Sequence, residues 1–350
     1  MNLIELLSTL TTASGVSGNE NAVADVVRAQ FSRFADEVFT DKLGNVYGKV
    51  GQGEPVVLIC AHMDEIGMMV EGIEDNGMLR ICSVAGVDPR VLPGSRVVVH
   101  TRAGKLRGAV GALPPHLLGR GNDASAAYAM GDLLVDTGLG AGVVRAQVAI
   151  GDFVTFDQRP VVELKNRRIA GKSLDDRALV ACEILAMERL KKRKLACTAL
   201  FCATVQEERG SFGALTAAYG MEPDLAVAMD VTHAPMPGAD SLDTTDMAKL
   251  SLTRGGNIHP KLYAQLEGIC KELDLPYAPD ASIGHTGTDA WEIQTRRGGI
   301  PTGLISLPLR YMHTCVESID LKTLENCARL ITELLCAQDG DWEEKLCLDE

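Results

Sequence analysis

Aromatic residues are scarce in this chain: phenylalanine, tryptophan and tyrosine make up 4% of its 350 residues. Its core must therefore be built mainly from aliphatic side chains, and a hydrophobic content of 46% is typical of a globular protein. No apolar run approaches the roughly 18 residues of a membrane-spanning helix. The segment MNLIELLSTLTTASG also lacks the basic and apolar regions of a signal peptide. We therefore expect a globular protein that is neither secreted nor inserted in a membrane.

Basic residues are outnumbered, since 34 lysines and arginines face 47 aspartates and glutamates, and the formal net charge is -13. This balance argues against nucleic acid as a partner, because phosphates bind to basic surfaces, and it disfavours anionic membranes. It favours solubility and could attract cations, but net charge alone cannot locate a cation site.

No two of the ten cysteines form a C-x-x-C pair. Cys60, Cys197 and Cys202 lie inside apolar runs, which is typical of small buried side chains rather than of disulfides or metal ligands. Free thiols of this kind persist in a reducing compartment. The cysteine pattern therefore predicts a cytoplasmic protein.

The hydrophobic pattern divides the chain into two parts. Residues 67–164 alternate short β-branched runs with glycine and proline, which predicts five or more short strands: LRICSV, RVVVHT, KLRGAVGAL, DLLVDTG and DFVTF. On either side, apolar strands such as VVLIC and ALFCATV alternate with helical patterns. We therefore predict an α/β domain with a central mixed sheet, residues 1–66 and 165–350, interrupted by a small all-β, barrel-like insertion at 67–164.

Local signals add two predictions. Ser17 followed by Glu20 matches a capping box at the start of a helix, since the serine hydroxyl can accept a backbone hydrogen bond while the glutamate reaches back. Residues 115–130 are poorly patterned, which predicts a loop.

Polar residues with metal-binding side chains follow the predicted strands. The strands that end in VVLIC, ALFCATV, DLAVAM and TGLISLP are followed by His62, Asp64 and Glu65, by Gln206, Glu207 and Glu208, by Asp230, and by His313. The loop before the helix that follows Gly171 adds Asp175 and Asp176. Because ligands bind at the carboxyl ends of strands in open α/β sheets, we expect these side chains to converge. So many carboxylates at one edge would repel one another without a cation.

The expected cluster has the composition of a metal centre. Two imidazoles with several carboxylates suit zinc, cobalt or manganese, and imidazole favours the first two. A bridging carboxylate with four terminal ligands makes a two-metal site. The prediction is two divalent ions per subunit, held by His62, Asp175, Glu208, Asp230 and His313.

Each of these residues also has an ordinary interpretation on its own. A histidine at a strand end is more often hydrogen-bonded than metal-bound, Glu207 and Glu208 could lie on a solvated loop, and Asp175 could cap a helix. Their combination at successive strand ends favours a site. Four other histidines lack a suitable acidic neighbour and are not predicted as ligands: His100, His116, His233 and His259.

Seven segments, in this order over nearly the whole chain, resemble those of the tetrahedral aminopeptidases: AHMDEIGMMV, GKSLDDRA, ATVQEERGSFGA, AMDVTHA, GHTGTDAWEIQ, GIPTGLIS and RYMHTCVE. That family includes glutamyl aminopeptidases, and some members carry the name cellulase M or endoglucanase. The resemblance implies a metallo-aminopeptidase that removes N-terminal residues from short peptides. It also implies that the β insertion is a dimerisation domain and that the protein is a homo-oligomer, commonly a hollow tetrahedral dodecamer built from dimers.

The resemblance implies a role for each candidate site residue. One metal ion would be held by His62, Asp230 and the bridging Asp175, and the other by Glu208, His313 and the same Asp175. Glu207 would be the general base, and Asp64 would orient His62. His285 and Asp289, in GHTGTDA, are candidates for substrate binding.

Five positions depart from the family pattern without removing a proposed ligand or the base: Ser173, Leu179, Arg209, Phe212 and Cys315. They put the substrate preference in doubt more than the activity. The rival functions are metal-dependent deacylation of small amides, and an oligomeric binding assembly that has lost catalysis. A glycosidase canonically uses two metal-free carboxylates, so its activity would survive chelation.

Overall fold

The computed structural model describes residues 1–117 and 127–348. Its α-helices are α1 (Leu3–Thr12), α2 (Asn21–Phe31), α3 (Ala141–Gln147), α4 (Leu174–Leu190), α5 (Phe212–Met221), α6 (Pro260–Glu272), α7 (Asp289–Ile293), α8 (Leu321–Cys336) and α9 (Trp342–Leu346). Within the described residues, none of these helices combines the length and the apolar character that crossing a membrane requires.

The strands are β1 (Glu37–Thr40), β2 (Val46–Val50), β3 (Val56–His62), β4 (Met68–Ile73), β5 (Leu79–Ser83), β6 (Arg96–Thr101), β7 (Gly104–Val110), β8 (Leu134–Asp136), β9 (Phe153–Phe156), β10 (Val162–Glu163), β11 (Arg168–Gly171), β12 (Thr198–Thr204), β13 (Leu225–His233), β14 (Leu250–Gly255), β15 (Tyr277–Ser282), β16 (Thr302–Leu309) and β17 (Glu317–Asp320).

Eight strands form one large sheet, in the order β1-β2-β12-β3-β13-β16-β14-β15. The inner strands β12, β3, β13 and β16 run parallel, whereas β2 pairs antiparallel with β12, and β14 with β16. Strands β12 and β16 are buried along their whole length, which explains their continuous apolar sequences. The predicted α/β fold with a central mixed sheet is confirmed.

Helix α4 places Asp175, one of the candidate site residues, in the middle of the fold. It packs against β3, β13, α1 and α8, and nearly all of its 17 residues are buried. Its first turn is irregular, because Asp175 and Asp176 have non-helical dihedral angles. This packing places Asp175 beside His62 at the end of β3.

Strands β4 to β9 close into an antiparallel barrel, in the order β4-β5-β8-β7-β6-β9. The barrel has its own hydrophobic core, which includes Met68, Ile81, Val99 and Val154 and is separate from the core of the large sheet. Each of the five predicted runs contributes a strand, and β4, which was not predicted, completes the closure. The predicted all-β insertion is therefore confirmed.

The chain returns to the α/β part soon after the barrel. Strand β10 already pairs with β11, and β11 pairs with β17. We propose that the inserted domain spans 67 to about 160, slightly less than the predicted 67–164, and that residues 1–66 and those after 160 form the catalytic domain. The predicted loop at 115–130 lies partly outside the described residues.

The predicted capping box is wrong. Helix α2 begins at Asn21, and Glu20 makes no side-chain cap. Instead, Ser17 Oγ donates a hydrogen bond to Asp64 Oδ2, and Gly18 N donates to Glu20 Oε1 at 2.6 Å. The serine hydroxyl therefore acts as a donor to a buried carboxylate, which is a strong acceptor, and not as the acceptor that a cap requires.

Candidate metal centre

The five predicted metal ligands lie together at the carboxyl end of the parallel strands. His62 ends β3, Asp230 lies on β13, and a short 3₁₀ helix after β12 carries Glu208. Their ligand atoms form two groups, in each of which all atoms lie within 4.8 Å of one another: His62, Asp175 and Asp230, and Asp175, Glu208 and His313. Among the described residues, the other histidines belong to neither group.

Asp175 belongs to both groups, and its two oxygens face different histidines. Oδ1 lies 3.1 Å from Nε2 of His62, and Oδ2 lies 3.4 Å from Nε2 of His313. Each oxygen of the one carboxylate thus points toward a separate set of ligands. This is the arrangement expected of a carboxylate that bridges two ions.

Asp64 is fully buried behind the first group. Its Oδ1 lies 3.4 Å from Nδ1 of His62 and accepts a hydrogen bond from the backbone N–H of Glu207 at 3.0 Å. Its Oδ2 accepts from the N–H of Glu208 at 3.2 Å. One carboxylate therefore links the orientation of the His62 ring to the position of the Glu207–Glu208 turn.

Glu317 supports the second group and was missed in the sequence. Its Oε2 accepts from the N–H of Asp175 at 3.1 Å, and its Oε1 accepts from the N–H of His313 at 3.0 Å. His313 has a left-handed backbone, with φ of 62°, so this hydrogen bond helps to hold an unfavourable conformation. The sequence signal was its place four residues after His313, at the end of the family-like segment RYMHTCVE, where no role was assigned to it.

The barrel reaches the metal centre through Gly86, which lies after β5. The Nδ1 atom of His313 lies 3.1 Å from the carbonyl oxygen of Gly86. A proton on Nδ1 that donates to this carbonyl leaves Nε2 free to bind a metal. A Cβ atom at position 86 would overlap the imidazole of His313, so only glycine fits there.

We expect Gly86→Ala to lower metal affinity at the His313 group and kcat/KM by about 10- to 100-fold, the usual effect of disturbing a residue that orients a ligand. Metal analysis and steady-state kinetics measure the two quantities. Gly142→Ala is the matched control, because a Cβ atom there meets open space on α3 of the same barrel. Equal activity in the two variants would contradict the orienting role.

The carboxylates of the site have few positively charged groups near them. Burial and neighbouring carboxylates raise the pKa of Glu207, Glu208 and Asp230 well above the usual range. Burial also opposes ionisation of Asp175, but His313 and His62 hold the pKa of that carboxyl below its usual range. No lysine or arginine in the described part of the chain forms an ion pair with any of these four.

This donor set fits two divalent metal ions. Each group offers one imidazole nitrogen and carboxylate oxygens, which are the ligands that zinc and similar ions take in proteins. Two cations would also supply the positive charge that the buried carboxylates lack.

A cavity of about 520 Å³ opens over the centre and is lined by residues of both groups. Glu207 lines it, and Ser211 Oγ donates to Glu207 Oε1 at 3.3 Å. His285 also lines the cavity. Asp289 is not among the described residues that line it, and its Oδ2 accepts a hydrogen bond from Thr204 Oγ1 at 2.7 Å. The structure thus places His285 at the wall of the cavity and Asp289 outside its lining.

The departure at Ser173 has a structural explanation. Ser173 Oγ and Lys172 Nζ both donate to Oε2 of the buried Glu65, and Arg177 Nη2 lies 3.2 Å from its Oε1. Burial opposes ionisation of Glu65, but Arg177 and Lys172 lower its pKa to about 2. The serine hydroxyl therefore helps to satisfy a buried charge beside the turn that carries Asp175.

Known proteins match the chain over most of its length. The model of the M42 glutamyl aminopeptidase family matches residues 44–330. The chain belongs to this M42 family. The lysyl aminopeptidase of Pyrococcus furiosus is 34% identical over 338 residues, which cover 95% of this chain and 96% of that protein. The chain is therefore a peptide hydrolase of the aminopeptidase class.

Solved M42-like structures show the same fold. A TET aminopeptidase from a marine sediment Thaumarchaeota archaeon superposes with a TM-score of 0.93 at 30% identity, over 99% of this chain and 100% of that one. The TET1 peptidase of Pyrococcus horikoshii, which can assemble into a tetrahedron or a large octahedral shell, has a TM-score of 0.84 at 30% identity, over 96% and 100% of the two chains. The predicted resemblance to tetrahedral aminopeptidases is confirmed.

Proposed function

We propose that this M42 peptidase is an aminopeptidase that uses two divalent metal ions to remove N-terminal residues from short peptides. The proposal rests on the position of Asp175: its two oxygens face His62 and His313, which lie in two separate ligand groups. His62 and Asp230 would complete one ion's ligands, and Glu208 and His313 the other's. Membership in this peptidase family implies divalent metal, and the donor set favours zinc or cobalt, with manganese as a further candidate.

When bound, such ions polarise a peptide carbonyl and lower the pKa of a water molecule toward neutrality. The protein's own contribution is to position the peptide and to move the proton. Glu207 lies in the cavity with Oε2 3.9 Å from Nε2 of His62, and Ser211 holds its other oxygen. The Glu207 carboxylate accepts the proton of the attacking water and delivers it to the leaving amine. Asp64 keeps His62 in orientation throughout.

Assembly of the chain into dimers, and of dimers into a larger shell, is part of the same proposal. Large apolar side chains are exposed on the barrel at Leu113, Val143 and Ile150, with exposed fractions of 50%, 46% and 73%. Exposed apolar surface of this kind often marks a contact with another subunit. The TET1 relative can assemble into a tetrahedron or a large octahedral shell, which supports a shell as the final state. All ten cysteines are free, which supports a cytoplasmic location.

A panel of aminoacyl-p-nitroanilides, assayed with zinc, cobalt, manganese or EDTA, tests the proposed function. We expect hydrolysis that requires metal, that stops in EDTA and that is lost when the α-amine of the substrate is acetylated. Release of acetate from the acetylated substrates, which leaves the p-nitroanilide bond intact, would indicate a deacylase. Glycoside hydrolysis that survives EDTA would indicate a glycosidase, and inactivity with every metal would indicate a binding assembly.

A further inference from the structure

One carboxylate in the active-site cavity is neither a proposed metal ligand nor the proposed base. Glu292 lies on α7 and lines the same cavity as Glu207, Glu208 and Asp230. Its side chain is 25% exposed, so a bound substrate can reach it. None of the proposed metal or base roles needs this residue.

Helix α7 holds Glu292 close to the strands that carry the candidate metal centre. Asp289 begins the helix and is anchored to β12 by the hydrogen bond from Thr204. Glu292 follows this anchor by three residues on the same short helix and, unlike Asp289, lines the cavity. The helix also contacts β13, on which Asp230 lies, and β16, which precedes His313 in the chain.

The nearest basic residue does not enter the cavity. Arg296 Nη2 donates to Glu292 Oε2, and Arg296 Nε donates to the backbone carbonyl of Glu292 at 2.9 Å. These two hydrogen bonds hold the guanidinium against its own helix. The other oxygen, Glu292 Oε1, accepts no hydrogen bond from the described residues and is free to meet a ligand.

The charges around the cavity point to a basic ligand. Its described lining includes five carboxylates and three histidines, but no lysine or arginine: Asp175, Glu207, Glu208, Asp230, Glu292, His233, His285 and His313. Three of the five carboxylates are proposed metal ligands and Glu207 is the proposed base, and two divalent cations would balance these four charges. Glu292 is then the carboxylate whose negative charge stays unbalanced by metal, and Thr286 and Thr288 also line the cavity.

We infer that Glu292 selects peptides whose N-terminal residue is lysine or arginine. This inference rests on the proposed aminopeptidase function and deepens it. A side-chain ammonium or guanidinium would pair with Oε1, whereas a glutamyl side chain would meet a like charge, and the described lining of the cavity offers no lysine or arginine to receive it. The preference would differ from the glutamyl specificity in the family's description and would agree with the name of the lysyl aminopeptidase of Pyrococcus furiosus.

Glu292 could in principle bind the free α-amine instead of the side chain. The two roles have different consequences, because every aminopeptidase substrate carries an α-amine but only some carry a basic side chain. Loss of an α-amine contact would lower kcat/KM equally for all substrates. Loss of a side-chain contact would act on lysyl and arginyl substrates alone.

The test compares kcat/KM of the metal-loaded enzyme on lysyl-, arginyl-, leucyl- and glutamyl-p-nitroanilide. We expect the wild type to favour lysyl over glutamyl substrate by at least about tenfold. In Glu292→Gln the lysyl-to-leucyl ratio should fall by about tenfold or more, the effect of removing a charged hydrogen-bond partner. Arg296→Gln is the matched control and should keep the ratio high. The double variant Glu292→Gln/Arg296→Gln tests whether Arg296, once released from Glu292, moves into the cavity and repels basic substrates.

Calorimetry of L-lysinamide and L-norleucinamide supplies a readout that needs no turnover. The two ligands differ by the side-chain ammonium, so the wild type should bind lysinamide more tightly and Glu292→Gln should lose that difference. A wild-type preference for glutamyl substrate, an unchanged ratio in Glu292→Gln, or equal losses on lysyl and leucyl substrates would overturn the inference. Failure to hydrolyse any substrate would contradict the proposed function, and the calorimetry would still decide the role of Glu292.

Discussion

Replacing Glu207 by glutamine should lower kcat by about 10²- to 10⁴-fold, the range that a positioned general base contributes. Glutamine keeps the size of the side chain and its contact with Ser211, but it cannot take a proton from water. Glu207 belongs to neither ligand group, so the variant should bind metal as the wild type does. Steady-state kinetics on the best aminoacyl-p-nitroanilide, together with metal analysis, measure both effects.

The matched control for this variant is Glu343→Gln, on the exposed helix α9. It makes the same chemical change far from the cavity and should leave kcat within about twofold, as surface substitutions usually do. Near-wild-type activity of Glu207→Gln with its metal retained would show that another group moves the proton.

The second large effect is expected for Asp175→Asn. The change removes one negative charge from both ligand groups at once, because each oxygen of Asp175 faces a different histidine. Metal content should fall well below that of the wild type, and kcat/KM should fall by on the order of 10³-fold, since the metal ions stabilise the transition state by several kcal/mol. Ion counting by mass spectrometry and kinetics over a range of metal concentrations measure the two losses.

Asp243→Asn is the control for Asp175→Asn, since Asp243 is exposed and belongs to neither ligand group. If Asp175→Asn lost one ion and kept the other with full affinity, Asp175 would be a terminal ligand rather than a bridge. Retention of both ions with near-wild-type activity would remove Asp175 from the centre altogether.

The sequence predicted the fold class well because each buried strand is a continuous apolar run. The strands β3, β12 and β16 are apolar almost throughout, and the polar residues that follow them come together since parallel strands end at one edge. Asp230 shows the limit of this reasoning. Strand β13 continues to His233 because it pairs with β16 through Leu309, and no local pattern in the sequence reveals that pairing.

Contacts between distant segments could not be predicted from local patterns. Ser17 has the spacing of a helix cap but bonds to Asp64, which lies 47 residues away. Nothing in the sequence distinguishes Gly86 from other loop glycines, although a Cβ atom there would overlap His313. Glu317 holds the backbone of Asp175, which lies 142 residues away. In each case the partner is brought near only by the fold.

The most direct test of the account is a metal titration of the chelated enzyme, with bound ions counted per subunit while hydrolysis of an aminoacyl-p-nitroanilide is followed. We predict that the chelated protein is inactive, that activity returns with zinc or cobalt, and that full activity coincides with two bound ions per subunit. Full activity in the metal-free protein would contradict the account, and so would full activity with a single bound ion.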